Sequence, residues 1–137
     1  MAGVTAGLPD LVRDKWASLL SNGFTLVTEE PRHVVLTSAR LRIDVSHDPR
    51  GEVDVQVFLP GQEPWQGWSY MGMVGNASVG RLLELALDEM QAEPAVLSGD
   101  AAFYADLAAA QRARSIEYTR WAEGKGPAPR PRRGRLP

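Results

Sequence analysis

LRIDVSHDPRGEVDVQVFL, residues 41–59, decides how the rest of the chain is read. Leu41, Ile43 and Val45 alternate with Arg42, Asp44 and Ser46, and Val53, Val55, Val57 and Leu59 repeat the pattern after the break. A two-residue period is that of a half-buried strand, since successive side chains point to opposite faces. In the break, Asp48-Pro49-Arg50-Gly51, proline suits the second position of a type I turn and glycine the positive φ that follows. The expectation is an antiparallel hairpin with a bulge at the turn.

Working back from the hairpin, FTLVTEE and RHVVLTSA are further strand candidates, and TSARL reads either as a tight turn or as one bent strand. Before them the period lengthens. In LPDLVRDKWASLLSNGF, Leu8, Leu11, Val12, Trp16 and Leu19 gather on one side of a helix that Asn22-Gly23 is placed to stop. Such a stripe needs a sheet or another helix to cover it.

Forward of the hairpin, LPGQEPWQG is a connection broken by proline and glycine, leading into WSYMGMV. As a strand, the latter puts Trp68, Tyr70, Gly72 and Val74 on one face and Met71 and Met73 on the other, so a strand covered on both sides or set at an interface is expected. A helix follows from Ala77, with Val79, Leu82, Leu83, Ala86, Leu87 and Met90 on its apolar face. After the break EPAVLSG, Asp100 is placed to cap a last helix running to about Ala122. Its Phe103, Leu107, Ala110, Tyr118 and Trp121 fall within about 80° of one another around Arg114, as expected of an element that is covered.

The fold class is therefore α+β: an antiparallel four- to five-stranded sheet packed against an N-terminal helix and two C-terminal helices. One compact domain spans residues 8–122, followed at 124–137 by a basic Pro/Arg-rich tail expected to be disordered. Residues 1–123 carry ten Lys or Arg against seventeen Asp or Glu, and the tail adds five basic groups and no acidic one. An acidic body argues against a broad phosphate-binding surface, and so against nucleic acid as partner.

The chain has no cysteine, which removes disulfides, thiolate metal sites and thiol nucleophiles and suits a reducing cytoplasm. Its first residues lack the basic-then-apolar order of a signal peptide, and no stretch approaches the roughly 20 apolar residues needed to cross a bilayer. A cytoplasmic protein without membrane insertion is expected. His33 and His47 lack metal-ligand spacing, and no GxSxG elbow supports Ser38 or Ser46 as a nucleophile beside His47. Asp44 and Asp54 would face each other across the hairpin but alternate with apolar residues, which makes them surface partners of arginine. GNASVG, residues 75–80, reads as a loop and helix cap, having no phosphate-loop lysine. No cofactor is expected.

Recognition is what remains. Trp65 is the aromatic best placed to meet another protein, with Glu63 and Gln66 as a polar rim; Trp68 and Tyr70 are assigned to the core. Arg114, alone on an apolar stripe, is the second protein-binding candidate. The order of elements over residues 8–122 resembles in layout the bacterial immunity proteins that pair with toxins, and small secretion-chaperone domains. That resemblance implies a non-enzymatic protein-binding module: most simply a toxin-neutralising immunity-type protein with a basic toxin as partner. The alternatives are a secretion-chaperone-like or adaptor protein holding a secreted substrate, and a homodimeric structural or regulatory module.

Overall fold

In a computed structural model, which describes residues 7–128, the chain forms a five-stranded antiparallel sheet with helices at both ends of the sequence. The strands are β1 (Thr25–Glu30), β2 (His33–Thr37), β3 (Arg42–His47), β4 (Glu52–Phe58) and β5 (Trp68–Met73), and their spatial order is their chain order. α1 (Leu8–Lys15) and α2 (Ala17–Leu20) precede them; α3 (Val79–Ala92), α4 (Pro94–Ser98) and α5 (Ala101–Ala122) follow. The expected disorder at 129–137 lies outside the described residues.

The β3–β4 hairpin forms with Ile43 opposite Val57 and Val45 opposite Val55. At its turn the Asp48 carboxylate accepts the amides of Arg50 and Glu52, and Gly51 takes φ 94°. Those amides hold the Asp48 carboxyl below its usual range, the Glu52 amide contributing most. TSARL is a tight turn: the Ser38 amide donates to the Leu41 carbonyl at 2.9 Å, and the Ser38 hydroxyl accepts the Arg40 and Leu41 amides.

One face of the sheet carries the core. Val34, Leu36, Ile43, Val45, Val53, Val55, Val57, Trp68 and Tyr70 meet Leu8, Val12, Trp16 and Leu19 from the N-terminal helices and Leu82, Leu83, Ala86 and Met90 from α3. The N-terminal helix is not continuous as the periodicity suggested: Trp16, at φ −114° and ψ 28°, separates α1 from α2. The bend sets the Trp16 ring fully inside, where its indole N–H donates to the Leu83 carbonyl at 2.9 Å. A buried tryptophan is stable only if that donor is satisfied.

Two glycines of β5 and its approach are explained by contact. A Cβ on Gly72 would lie 2.5 Å from Leu82 Cδ2, and one on Gly67 only 2.0 Å from the Val57 carbonyl oxygen. α3 can therefore press on the β5 backbone, and the chain can enter β5 against β4. Of the two arrangements expected for β5, cover on both sides does not occur among the described residues: Met71 and Met73 are 52 and 42 % exposed on the second face, which leaves the alternative of an interface. α3 itself starts as expected, with Ser78 accepting the Arg81 amide. The break EPAVLSG is instead the short helix α4, begun by Pro94 and ended by left-handed Gly99, so three helices and not two close the domain.

Candidate recognition surface

α5 begins on the body and leaves it. Asp100 caps it by accepting the Phe103 amide at 2.8 Å, and its first turns pack inward. Tyr104 is fully buried, its hydroxyl donating to the Val96 carbonyl at 2.7 Å; burial drives the phenol pKa far upward. Phe103 meets Tyr104 edge to face and, with Leu107, packs against the core.

The expected cover then ends. Tyr118 and Trp121, on the same stripe, are each 48 % exposed, and Ile116 on the opposite side is 56 % exposed. The reason is length. At 22 residues α5 is roughly 33 Å long, whereas strands of five to seven residues span about 20 Å, so the helix outruns the body it packs on. Periodicity placed these residues on one face correctly; the expectation that the whole face is covered was wrong.

The exposed half is nonetheless ordered by its own side chains. The Arg114 guanidinium stands over the Tyr118 ring at 5.7 Å, and Tyr118 meets Trp121 edge to face at 6.0 Å. Arg114 therefore neither snorkels past bare apolar surface nor pairs with a buried carboxylate, but builds the stripe with its neighbours by cation–π attraction. Past Ala122 the chain turns back at left-handed Gly124, with the Lys125 amide donating to the Arg120 carbonyl at 2.7 Å. Residues 126–128 then border a groove of about 700 Å³ along α5, lined by Ala110, Ala113, Arg114, Glu117 and Arg120.

Trp65 lies against the same helix. It lies 46 % exposed on a one-turn 3-10 helix, Pro64–Gln66, that packs alongside α5. Gln62 ties the two together, accepting the Leu59 amide and reaching the Tyr104 carbonyl. The structure thus sets the Trp65 turn against α5 at its buried first turns, beside Tyr104, a proximity the sequence did not reveal. Arg114 lies ten residues further along the helix, roughly 15 Å away. Gln66 is engaged locally, its side-chain oxygen accepting the Glu63 amide at 2.8 Å. Trp68 and Tyr70 are buried, as assigned.

The residues weighed for catalysis fall elsewhere. The hairpin register sets Gln56 opposite Asp44 and Ser46 opposite Asp54, so the two aspartates are diagonal neighbours and not a facing pair. Asp44 accepts from Arg42 Nε at 2.8 Å and lies 3.9 Å from His33 Nε2, on the face of the sheet away from the helices. Arg42 also stands over the Phe58 ring across the strand pair. Ser78 caps α3, so the GNASVG segment is a loop and helix cap. Among the described residues no group of three or more His, Cys, Asp or Glu is placed to hold a metal ion, and no helix is long and apolar enough to cross a membrane.

Exposed Ile116, Tyr118 and Trp121 were all visible in the sequence; their exposure was not, because it depends on where the body ends. What the geometry offers is an aromatic, arginine-bearing helix face continuous with a buried one. Comparison with known proteins finds no family model, curated protein or solved structure that matches this chain.

Proposed function

We propose that this small α+β domain is a non-enzymatic protein-binding module that docks its partner on the outer half of α5, with exposed Trp65, on the turn packed against the same helix, as a further contact. One observation carries the reading: the stripe that anchors α5 through Phe103, Tyr104 and Leu107 continues beyond the body with Tyr118 and Trp121 half exposed. Rigid aromatic rings beside an arginine, with exposed polar groups around them, are the composition of a binding hot spot. Asp44 and Arg42, engaged with each other on the sheet, are consistent with surface pairing in place of acid–base chemistry.

In its specific form we read the domain as a toxin-neutralising, immunity-type protein. Residues 1–110 carry seven Lys or Arg against fifteen Asp or Glu, a formal −8, and such a field draws a basic partner toward the body, while residues 111–123, with three Arg against two Glu, offer aromatic contact in place of charge. A secretion-chaperone or adaptor role uses the same surface with a different client. The test is co-purification of the tagged chain with proteins encoded beside it, for wild type and for a Tyr118→Ala/Trp121→Ala variant whose circular dichroism shows it folded. A basic protein retained by the wild type and released by the variant is expected; a complex that the folded variant retains unchanged overturns the assignment of α5.

A further inference from the structure

We propose that the free edge of β5 takes up an extended segment of a basic partner protein as a sixth strand. The proposal goes beyond the reading of α5 and does not rest on it.

The sheet ends on two unlike strands. β1 is guarded: its register shifts between Leu26 and Thr28, and it closes on Glu29, Glu30 and Pro31, features that turn other strands away. β5 carries none of these. Its pairing with β4 runs unbroken from Trp68 opposite Val57 to Met73 opposite Glu52, and from Trp68 to Gly75 the chain has no charged residue and no proline. Among the described residues β4 is the only strand beside it. The Val74 amide donates inward, to the Gly51 carbonyl at 2.8 Å, and backbone groups alternate in direction along an antiparallel strand. The backbone groups of Tyr70 and Gly72 therefore face β4, while the N–H and C=O of Met71 and the N–H of Met73 point out along the edge. The Met73 carbonyl accepts the Asn76 amide at 3.4 Å. Outward amides and carbonyls in a row are met by another extended backbone.

The side chains select the occupant. On the open face of the sheet Met71 and Met73 are exposed, and behind them on β4 stand Asp54, opposite Met71, and Glu52, opposite Met73. Asp48 lies at the same end, its amide donating to the Glu52 carbonyl and its carboxylate paired with Arg50 at 3.3 Å. A Lys or Arg on an added strand lays its apolar stem across a methionine thioether and carries its charge toward a carboxylate of β4. On the helix side β5 presents buried Trp68 and Tyr70, so the residues that alternate with those cations extend an apolar face. A second copy of β5 has no charge to offer Glu52 and Asp54, whereas a strand alternating basic and apolar residues answers both faces.

The test is titration of the full chain, labelled with carbon-13 at its methionine methyls, with an end-blocked peptide of alternating Lys and Val about eight residues long. Binding is expected to shift the Met71 and Met73 methyl signals and to leave buried Met90 in place. It should be about tenfold or more tighter than for the corresponding Glu–Val peptide, and weaker in added salt. Glu52→Lys reverses the charge behind Met73 and should weaken the Lys–Val peptide by about tenfold. Met71→Pro removes an outward N–H and no bond to β4, and should weaken it at least as much; if that variant fails to fold, Glu52→Lys, at the surface, carries the test. The Tyr118→Ala/Trp121→Ala variant should bind the peptide as the wild type does. No binding, equal binding of the two peptides, or binding that folded Glu52→Lys leaves unchanged overturns the proposal. Loss of binding in the Tyr118/Trp121 variant also overturns it, by moving the peptide to α5. So does a chain that sediments as a dimer held through β5, because the occupant is then a second copy.

Discussion

α3 and α5 both follow the sheet, yet α3 gathers its apolar residues on one face and spends that face inside the molecule, whereas α5 spreads its apolar residues round the helix and carries Ile116, Tyr118 and Trp121 into the open. α3 has 14 residues, roughly 21 Å, which matches the strands beneath it. Leu82, Leu83, Ala86 and Met90 are consequently buried along its whole length. α5 has 22 residues, and only its first turns find a surface to rest on. An apolar row on a helix therefore stabilises the fold only as far as there is body to receive it.

Substitution of two tryptophans would break that comparison most directly if it were wrong. Trp16→Ala removes a fully buried ring and leaves the Leu83 carbonyl without its donor, so a loss of about 3–5 kcal/mol is expected in denaturant unfolding. At the buried end of α5 the expected effect is intermediate. Tyr104→Phe keeps the ring but orphans the buried Val96 carbonyl, costing about 1–2 kcal/mol by the same measurement. At the outer end Trp121→Ala should change stability of the isolated chain by no more than about 0.5 kcal/mol. A cost at Trp121 approaching that at Tyr104 would mean that the outer half is packed, in this chain or in a dimer, under the conditions of measurement; dilution separates the two.

Much of this was legible in the sequence, and what was not has a common cause. The β3–β4 hairpin follows from a period and a turn whose chemistry is local, and both are written within residues 41–59. The interior places of Trp68 and Tyr70 follow from alternation. By contrast, whether Met71 and Met73 are covered, whether the stripe of α5 meets a partner, and whether Trp65 lies near α5 depend on element lengths and on what packs beside what. Periodicity reports which residues share a face; it carries no information on where the opposite surface stops. The break at Trp16 belongs with these, since a bend that seats one ring under Leu83 is set by a residue 67 positions away.

The sequential order of the strands has a kinetic consequence. Each strand pairs with the next in the chain, so the sheet can assemble by successive closure of short loops, at small entropic cost. The long-range closure is that of α1 on α3, joined by the Trp16 indole and by the Lys15–Glu84 ion pair at 3.2 Å. If the meander forms first and this clasp last, disturbing the clasp accelerates unfolding and leaves the refolding rate nearly untouched. The N-terminal helix would then act as the latch that sets how long the folded chain persists.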